Sequence, residues 1–297
     1  MARQNRVRAT AFAKVTLSLR VIGARDDGFH DIDALAVSIG QPQDTIEAGI
    51  VSEPGVKVDV VGGDELGVPD GDENLAARAA DRVLKRAGRQ ALGVHLTLRK
   101  RIPVAGGLGG GSADAAATLL AVRHLLELEL DSDALLELAA QLGSDVPFCL
   151  HGGSARMQGR GERLTPVKVP LGLPLLVAVP PFGLATADVY RAWDELGGPR
   201  SMRVVPAPPA LDSVIDGLVN DLEPAAEAVE PRLVDFRTHL EEVAGRPALL
   251  VGSGSTYVVP VDTNGRRVGD LAAEMSERLR RPVIGAATVS RGVRLEA

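Results

Sequence analysis

Alternating apolar and polar residues predict strands in the first hundred positions. Residues 15–21 place Val and Leu at every second position, the period of a strand with one buried face. A polar turn at Asp26–Gly28 follows, and a further apolar run reaches Ile39. Alternation returns at residues 94–98 and predicts a strand that leads into a glycine-rich stretch.

Apolar residues at helical spacing predict three helices, one between these strands and two after them. The first covers residues 73–87, with Asp72 as its cap and Gly88 as its stop. Two more are predicted over 113–128 and over 133–142. The segment 143–150 that follows is expected to be a turn and a short apolar strand.

The second half of the chain mixes strands and helices without strict β-α-β alternation, which favours the α+β class. The expected order is a strand at 175–179, a helix at 187–196, a loop at Pro199–Pro209, helices at 211–219 and 225–243, a strand pair within 248–261, a helix at 268–279 and a closing strand at 283–289. Prolines at positions 166, 170 and 174 mark a change in local sequence composition. We therefore expect two domains, residues 1–165 and 166–297.

The segment Pro103–Asp114 is predicted to bind an anion. Five of the six residues from Gly106 to Gly111 are glycine, which suits backbone that approaches a ligand closely. Ser112 and Asp114 are expected to open the next helix, whose free N–H groups would face a phosphate. Neither the Walker A pattern nor the dinucleotide fingerprint fits these residues. The alternative is a flexible connector, which rarely has a strand before it and a helix after it.

Composition and charge limit the classes of function that this chain can have. The chain is 45% hydrophobic and 24% charged with a formal charge of −6, typical of a globular protein and unfavourable for binding nucleic acid. No apolar stretch reaches the length of a membrane span, and a cytoplasmic location is expected. Cys149 is the single cysteine, so an internal disulfide is excluded and a buried packing role is expected. The histidines show no metal-ligand spacing.

Two charged residues lie in surroundings that make an isolated charge costly. Lys14 adjoins the first apolar strand, and Asp145 lies in a turn before Phe148. Each would lower the cost of burying the other if the two were paired. From spacing alone, a structural ion pair and a catalytic pair are equally acceptable interpretations.

Several segments together carry a family resemblance. Ala11–Leu17, Pro103–Asp114 and Gly252–Thr256 resemble, in order, the three motifs of the GHMP kinase superfamily of ATP-dependent small-molecule kinases. Three further runs, at 27–30, 143–147 and 220–223, are similar to the branch that acts on a cytidine-diphosphate-linked methylerythritol in non-mevalonate isoprenoid-precursor synthesis. The resemblance covers nearly the whole chain. It implies a two-domain fold with a ribosomal-protein-like first domain and phosphorylation of a hydroxyl of the methylerythritol part.

The resemblance also implies roles for individual residues. Lys14 and Asp145 would be the catalytic pair. The substrate would contact Phe29, His30, Tyr190 and Thr16, with the two aromatic rings stacking on the cytosine and His30 reading its edge. ATP would be bound by Asn74, Lys100, Pro103, Val104, Ala105, Gly106, Gly107, Leu108, Gly109, Gly110, Gly111, Ser112 and Ala113. Mg²⁺ is expected with the ATP, although no pair of carboxylates marks its ligands.

Two departures and two alternatives accompany the resemblance. Phe12 and Thr16 replace the proline and asparagine that the family usually has in its first motif, which leaves the geometry at the methylerythritol end open. A homoserine or mevalonate type of kinase is one alternative activity. A non-catalytic nucleotide-binding protein is the other, and the presence of both Lys14 and Asp145 argues against it. The number of subunits is left open between a monomer and a weak homodimer.

Overall fold

A computed structural model describes residues 6–62, 67–68, 71–198 and 218–296 of the chain. Its strands are β1 (Arg6–Ala24), β2 (His30–Val51), β3 (Gly55–Val61), β4 (Gly93–Arg99), β5 (Ser154–Gly159), β6 (Arg163–Pro166), β7 (Pro174–Ala178), β8 (Val219–Asn220), β9 (Leu249–Leu250), β10 (Tyr257–Pro260), β11 (Val283–Val289) and β12 (Val293–Glu296). Its helices are α1 (Leu75–Arg86), α2 (Gly110–Leu125), α3 (Ser132–Leu142), α4 (Val146–His151), α5 (Thr186–Glu195), α6 (Glu223–Val229), α7 (Arg232–Ala244) and α8 (Val268–Leu279).

One continuous sheet joins both halves of the described chain. Its main path runs in the order β12-β1-β2-β11-β7-β10-β9, while β4 and β5 also pair with the long strand β2. The last strand, β12, pairs antiparallel with β1, so the end of the chain returns to its beginning. The expected α+β class is therefore confirmed, while the division at residue 165 stays a prediction.

The apolar residues form two hydrophobic clusters on this sheet. One cluster combines β1, β2 and β4 with helices α1 to α3, and includes β7 and β10 residues such as Val177 and Val258. The other packs the far parts of β1 and β2 against α5 to α8. Cys149 is 1% exposed in the first cluster, which confirms its packing role.

Strand β1 is irregular where it passes the centre of the molecule. Its antiparallel register with β2 shifts between Phe12 and Ala13 and again between Thr16 and Ser18. Such shifts turn side chains out of the regular alternation and are frequent next to functional sites. Lys14 and Thr16 lie between the two shifts, and both are buried.

Several sequence-based expectations about local structure are wrong. The segment after Asp145 forms helix α4 instead of a strand, because Pro147 lies in the first helical turn, where its missing N–H is not needed. The N-cap of helix α1 is Asn74, whose Oδ1 accepts the N–H of Ala76, two positions after the expected cap. Helix α2 begins at Gly110, before Ser112.

Other differences concern the second half. The helix expected over 225–243 is two helices, α6 and α7, separated at Glu230–Pro231. Strand β12 follows the strand that was expected to close the chain. The Pro199–Pro209 loop lies outside the described residues, as does the helix expected over 211–219 up to residue 217, after which Val219 and Asn220 form strand β8.

Candidate active site

A cavity of about 880 Å³ brings together residues from five distant segments of the chain. Its size is typical of a small-molecule site. The walls include Lys14, the glycine loop, Asp145, Tyr190 and Gly252. With one exception, the cavity is lined by every residue that the resemblance assigned to catalysis, ATP or substrate. The exception is Ala113, which is fully buried in the first hydrophobic cluster and does not face the cavity.

Backbone hydrogen bonds attach the glycine loop to three other segments. The N–H of Lys14 donates to the carbonyl of Leu108 at 3.0 Å, and the N–H of Thr256 donates to that of Gly106 at 3.2 Å. The N–H of Leu184 donates to the carbonyl of Ala105 at 3.2 Å. The loop is therefore a fixed part of the cavity wall and not a free connector.

Two glycines in the loop cannot be replaced without strain. Gly107 and Gly109 have φ angles of 79° and 70°, in the region that side chains rarely adopt. A Cβ on Gly107 would lie 2.1 Å from the carbonyl oxygen of Val251, and one on Gly109 would lie 2.8 Å from Cγ of Lys14. Because Gly109 caps helix α2 without a side chain, the first amides of that helix stay available to an anion.

Lys14 and Asp145 form an ion pair beside this loop. The distance from Nζ of Lys14 to Oδ2 of Asp145 is 3.2 Å. The lysine side chain is only 7% exposed, whereas the aspartate side chain is 34% exposed and faces the cavity. The arrangement therefore presents a carboxylate acceptor to a bound molecule, with a cation held directly behind it.

A second cluster of charges lies beneath the loop. Nζ of Lys100 is 2.5 Å from a carboxylate oxygen of Asp44 and 2.5 Å from one of Asp114. Asp44 also accepts the backbone N–H groups of Arg101 and Ile102. The second oxygen of Asp114, Oδ1, is buried and has no partner within the described residues. The Lys100 side chain is 2% exposed, so its ammonium is engaged inside the protein.

Burial of Asp114 changes the pKa of this carboxyl. Removal from water raises the pKa of Asp114 to about 8, and the neighbouring Asp44 carboxylate adds to the rise against the opposing effect of Lys100. The two carboxylates in turn raise the pKa of Lys100 despite its burial. The cluster is thus one cation shared by two acids, of which Asp44 is the better hydrogen-bonded.

At the other end of the cavity, helix α5 surrounds His30 with three side chains. The ring of Tyr190 stacks on the imidazole with centroids 4.7 Å apart, and Trp193 meets it edge-on at 5.4 Å. Nε2 of His30 lies 2.8 Å from Oδ1 of Asp194. Trp193 and Asp194 were missed by sequence reasoning, although their spacing from Tyr190 on one helix places all three near each other.

Phe29 lies at the same end and is 49% exposed. The guanidinium carbon of Arg160 is 4.7 Å from the centre of its ring. The two aromatic rings that were expected to stack on a base are therefore each covered on one face, Phe29 by Arg160 and Tyr190 by His30. Burial and the Asp145 carboxylate raise the pKa of Tyr190, so its hydroxyl stays protonated.

Two uncharged side chains, Thr16 and Asn220, support the wall of the cavity through hydrogen bonds to the backbone. Oγ1 of Thr16 accepts the N–H of Gly252 at 2.8 Å, which joins the first motif to the third. Nδ2 of Asn220 donates to the carbonyls of Leu250 and Gly252 at 2.8 and 2.7 Å. Both contacts hold the segment 250–252 in place, and neither could be inferred from the sequence because the partners are far apart along the chain.

The described residues contain neither a cluster of metal ligands nor a membrane-spanning helix. No group of three or more His, Cys, Asp or Glu side chains there could hold a metal ion. No helix among them is long and apolar enough to cross a membrane.

The chain is similar to known proteins in both sequence and fold. Residues 74–153 match the model of the GHMP kinases N terminal domain. The 4-diphosphocytidyl-2-C-methyl-D-erythritol kinase of Pelotomaculum thermopropionicum is 40% identical over 84% of this chain and 87% of its own. A crystal structure titled 4-(cytidine 5'-diphospho)-2C-methyl-D-erythritol kinase superposes with a TM-score of 0.76 and 35% identity, covering 94% of this chain and 98% of that one. Homoserine kinase from Cytophaga hutchinsonii has a TM-score of 0.73 at 18% identity over 100% and 99% of the two chains, a likeness of fold.

The fold and the loop-lined cavity define a GHMP kinase, a class of ATP-dependent small-molecule phosphotransferases. Within that class, the two relatives described above that are named for a methylerythritol kinase are 35–40% identical to this chain, whereas the homoserine kinase is 18% identical. The chain belongs to the 4-diphosphocytidyl-2-C-methyl-D-erythritol kinase family.

Proposed function

We propose that this protein transfers the γ-phosphate of ATP to a hydroxyl of the methylerythritol part of 4-diphosphocytidyl-2-C-methyl-D-erythritol, in non-mevalonate isoprenoid-precursor synthesis. The observation that carries the proposal is the Lys14–Asp145 ion pair, placed in one cavity with the glycine loop and with Phe29, His30 and Tyr190. The relatives named for this reaction support it over most of the chain.

The carboxylate of Asp145 is proposed to receive the proton of the substrate hydroxyl. As that oxygen bonds to the γ-phosphorus, the bond from phosphorus to the bridging oxygen of ADP breaks. The transition state of phosphoryl transfer is loose, so positioning and charge contribute more than full deprotonation of the alcohol. The ammonium of Lys14, 3.2 Å from Asp145, offsets negative charge at the carboxylate and at the transferred group.

The glycine loop is proposed to bind the phosphates of ATP. Its residues line the cavity from Pro103 to Ser112, and the amino-terminal end of helix α2 points its free amides toward them. Lys100 is proposed to act from beneath the loop, because its ammonium is bound to Asp44 and Asp114. Asn74 caps helix α1 and lines the cavity, consistent with a position beside the nucleotide.

Mg²⁺ is proposed to accompany ATP. The Ser112 hydroxyl lines the phosphate end of the cavity, and oxygen is the donor type that Mg²⁺ accepts. Mg²⁺ needs few ligands from the protein, because it usually keeps several waters and binds substrate phosphates. When bound, Mg²⁺ would neutralise phosphate charge during transfer.

Phe29, His30 and Tyr190 are proposed to bind the cytosine. Base stacking on an aromatic ring contributes roughly 1–3 kcal/mol, and His30 is held by Asp194 on one edge. With Nε2 directed at Asp194, the other ring nitrogen and the backbone of His30 are left to contact the base. Asp194 thus orients a residue that distinguishes one pyrimidine from another.

A panel of acceptor alcohols tests this function. ADP release from ATP and Mg²⁺ should occur with the CDP-linked methylerythritol and not with homoserine or mevalonate. Turnover with either of the latter, and none with the CDP-linked alcohol, would replace the proposed substrate with that of another GHMP kinase. ATP binding without turnover on any alcohol would favour a non-catalytic nucleotide-binding protein.

A further inference from the structure

Four side chains with a permanent positive charge line the described part of the cavity. They are Lys14, Lys100, Arg160 and Arg191. Three of these are paired with carboxylates: Lys14 with Asp145, Lys100 with Asp44 and Asp114, and Arg191 with Asp188. Within the described residues, the guanidinium of Arg160 takes part in no ion pair and no hydrogen bond. Its charge is therefore available to a bound anion.

The turn between β5 and β6 fixes the position of Arg160. The residue lies between Gly159 and Gly161, whose φ angles of 69° and 115° close the turn. Its backbone N–H donates to Oε2 of Glu162 at 2.7 Å, so this carboxylate is used by the turn itself. The guanidinium lies over the ring of Phe29, where a cation–π contact holds it.

A second acid in the neighbourhood of Arg160, Asp27, is also occupied. The carboxylate of Asp27 lies close enough for Arg160 to contribute to the lowering of its pKa, but Arg25 causes most of that effect. Arg25 donates to both oxygens of Asp27, at 3.0 and 3.2 Å from Nε. Arg160 is thus fixed by an aromatic face while its planar N–H donors remain open.

We propose that Arg160 binds the diphosphate of the nucleotide-linked substrate. This inference rests on the proposed function, which places a cytosine beside Phe29 and a hydroxyl beside Asp145. In such a substrate the diphosphate is separated from the base by a single ribose, so it must lie within a few bond lengths of the base site. A guanidinium binds two phosphate oxygens at once through parallel N–H donors. Arg160 therefore distinguishes a nucleoside diphosphate from a nucleoside.

Binding of two probes to the full-length protein tests the assignment. Isothermal titration with CDP and with cytidine is carried out with the ATP site filled by a non-hydrolysable ATP analogue. Arg160→Met keeps the length and apolar contact of the stem but removes the charge. We expect it to weaken CDP binding by roughly 10- to 100-fold, because a charge-assisted bidentate contact is lost. Cytidine should bind within about 2-fold of its affinity for the unmodified protein, and Arg160→Lys should restore part of the CDP affinity.

Arg191→Met is the matched control. Arg191 lines the same cavity, but its guanidinium is 3.0 Å from Asp188 and is 66% exposed. Its replacement should leave both affinities unchanged. Thermal unfolding of each variant shows that the fold is retained.

Three results would overturn the proposal. Equal CDP affinity of Arg160→Met and the unmodified protein would exclude a diphosphate contact. An equal loss for cytidine and CDP would make Arg160 part of the base stack instead. An unmodified protein that binds neither probe would contradict the proposed function, and the inference with it.

Discussion

At the scale of single residues, the buried acid Asp114 is the least satisfied charged group near the loop. It shares the ammonium of Lys100 with Asp44, and its Oδ1 atom is without a partner among the described residues. One cation between two carboxylates leaves one negative charge uncompensated when both acids are ionised. Burial therefore raises the pKa of Asp114 to about 8, and the protonated acid is the form that suits the folded protein.

This pKa predicts how stability depends on pH. The unfolded chain releases the Asp114 proton near the ordinary value for aspartic acid, about 4, whereas the folded protein holds it to about 8. The group therefore contributes stability at low pH that is lost as the pH rises through this window. Asp114→Asn has no proton to lose, so its free energy of unfolding relative to the unmodified protein should increase from pH 5 to pH 8.

Urea unfolding at several pH values measures the effect of Asp114→Asn. Asp133→Asn removes an exposed carboxylate from the first turn of α3 and is the control. A difference for Asp114→Asn that is the same at every pH would contradict the account of the buried cluster.

At the scale of elements, the glycine loop and helix α2 depend on the backbone of Gly109. An alanine there must adopt a φ of 70° and place its Cβ 2.8 Å from Cγ of Lys14. Gly88 offers a matched comparison, since its φ is 64° and nothing lies within 4 Å of the position of a Cβ. Both substitutions impose the left-handed conformation on alanine, at a cost of about 1–2 kcal/mol.

We expect Gly109→Ala to lower turnover by at least about tenfold, because displacement of Lys14 disturbs the pair with Asp145 and small misplacements at a reacting centre are costly. Gly88→Ala should lose comparable stability and keep its turnover. Steady-state kinetics and thermal unfolding of the two variants check this. Equal turnover of the two would show that the Gly109–Lys14 contact is not needed.

The bounds of the helices and strands also show which parts of the secondary structure could be predicted from the sequence. The helix expected over 268–279 and the strand over 283–289 have these bounds in the structure, because their periodicity is clear and a proline separates them. The short strand expected within the segment 143–150 is a helix, since Pro147 can begin a helix as well as prevent one. Asp72 and Asn74 are both good caps, and only the position of α1 in the packed structure distinguishes them.

At the scale of the whole molecule, a single sheet brings the parts of the cavity together. The hydrogen bond from Gly252 to Thr16 joins residues 236 positions apart, and strand β12 returns to β1. The resemblance could predict which motifs meet, because it transfers an arrangement known for a family. The resemblance could not predict the ion pair of Asp44 with Lys100 or the cation–π contact of Arg160 with Phe29. Those contacts depend on the packing of this particular chain.

Different elements of the cavity are proposed to bind the two ligands. In the proposed function the phosphates of ATP lie at the glycine loop and helix α2, and the cytosine lies at the start of β2 and helix α5. Asp145 lies within electrostatic range of Tyr190 and in contact with Lys14, so it connects the two ends. We therefore propose that the Asp145 carboxylate acts in the chemical step and not in the binding of either ligand.

The decisive measurement is the turnover of Asp145→Asn, together with its affinities for an ATP analogue and for CDP. The amide keeps the shape of the side chain but cannot accept the proton as a carboxylate does. We predict a fall in kcat of about 10²–10⁴-fold, with both affinities within about 3-fold of the unmodified protein. A variant that retains its kcat, or that loses ligand affinity in place of turnover, would contradict the account.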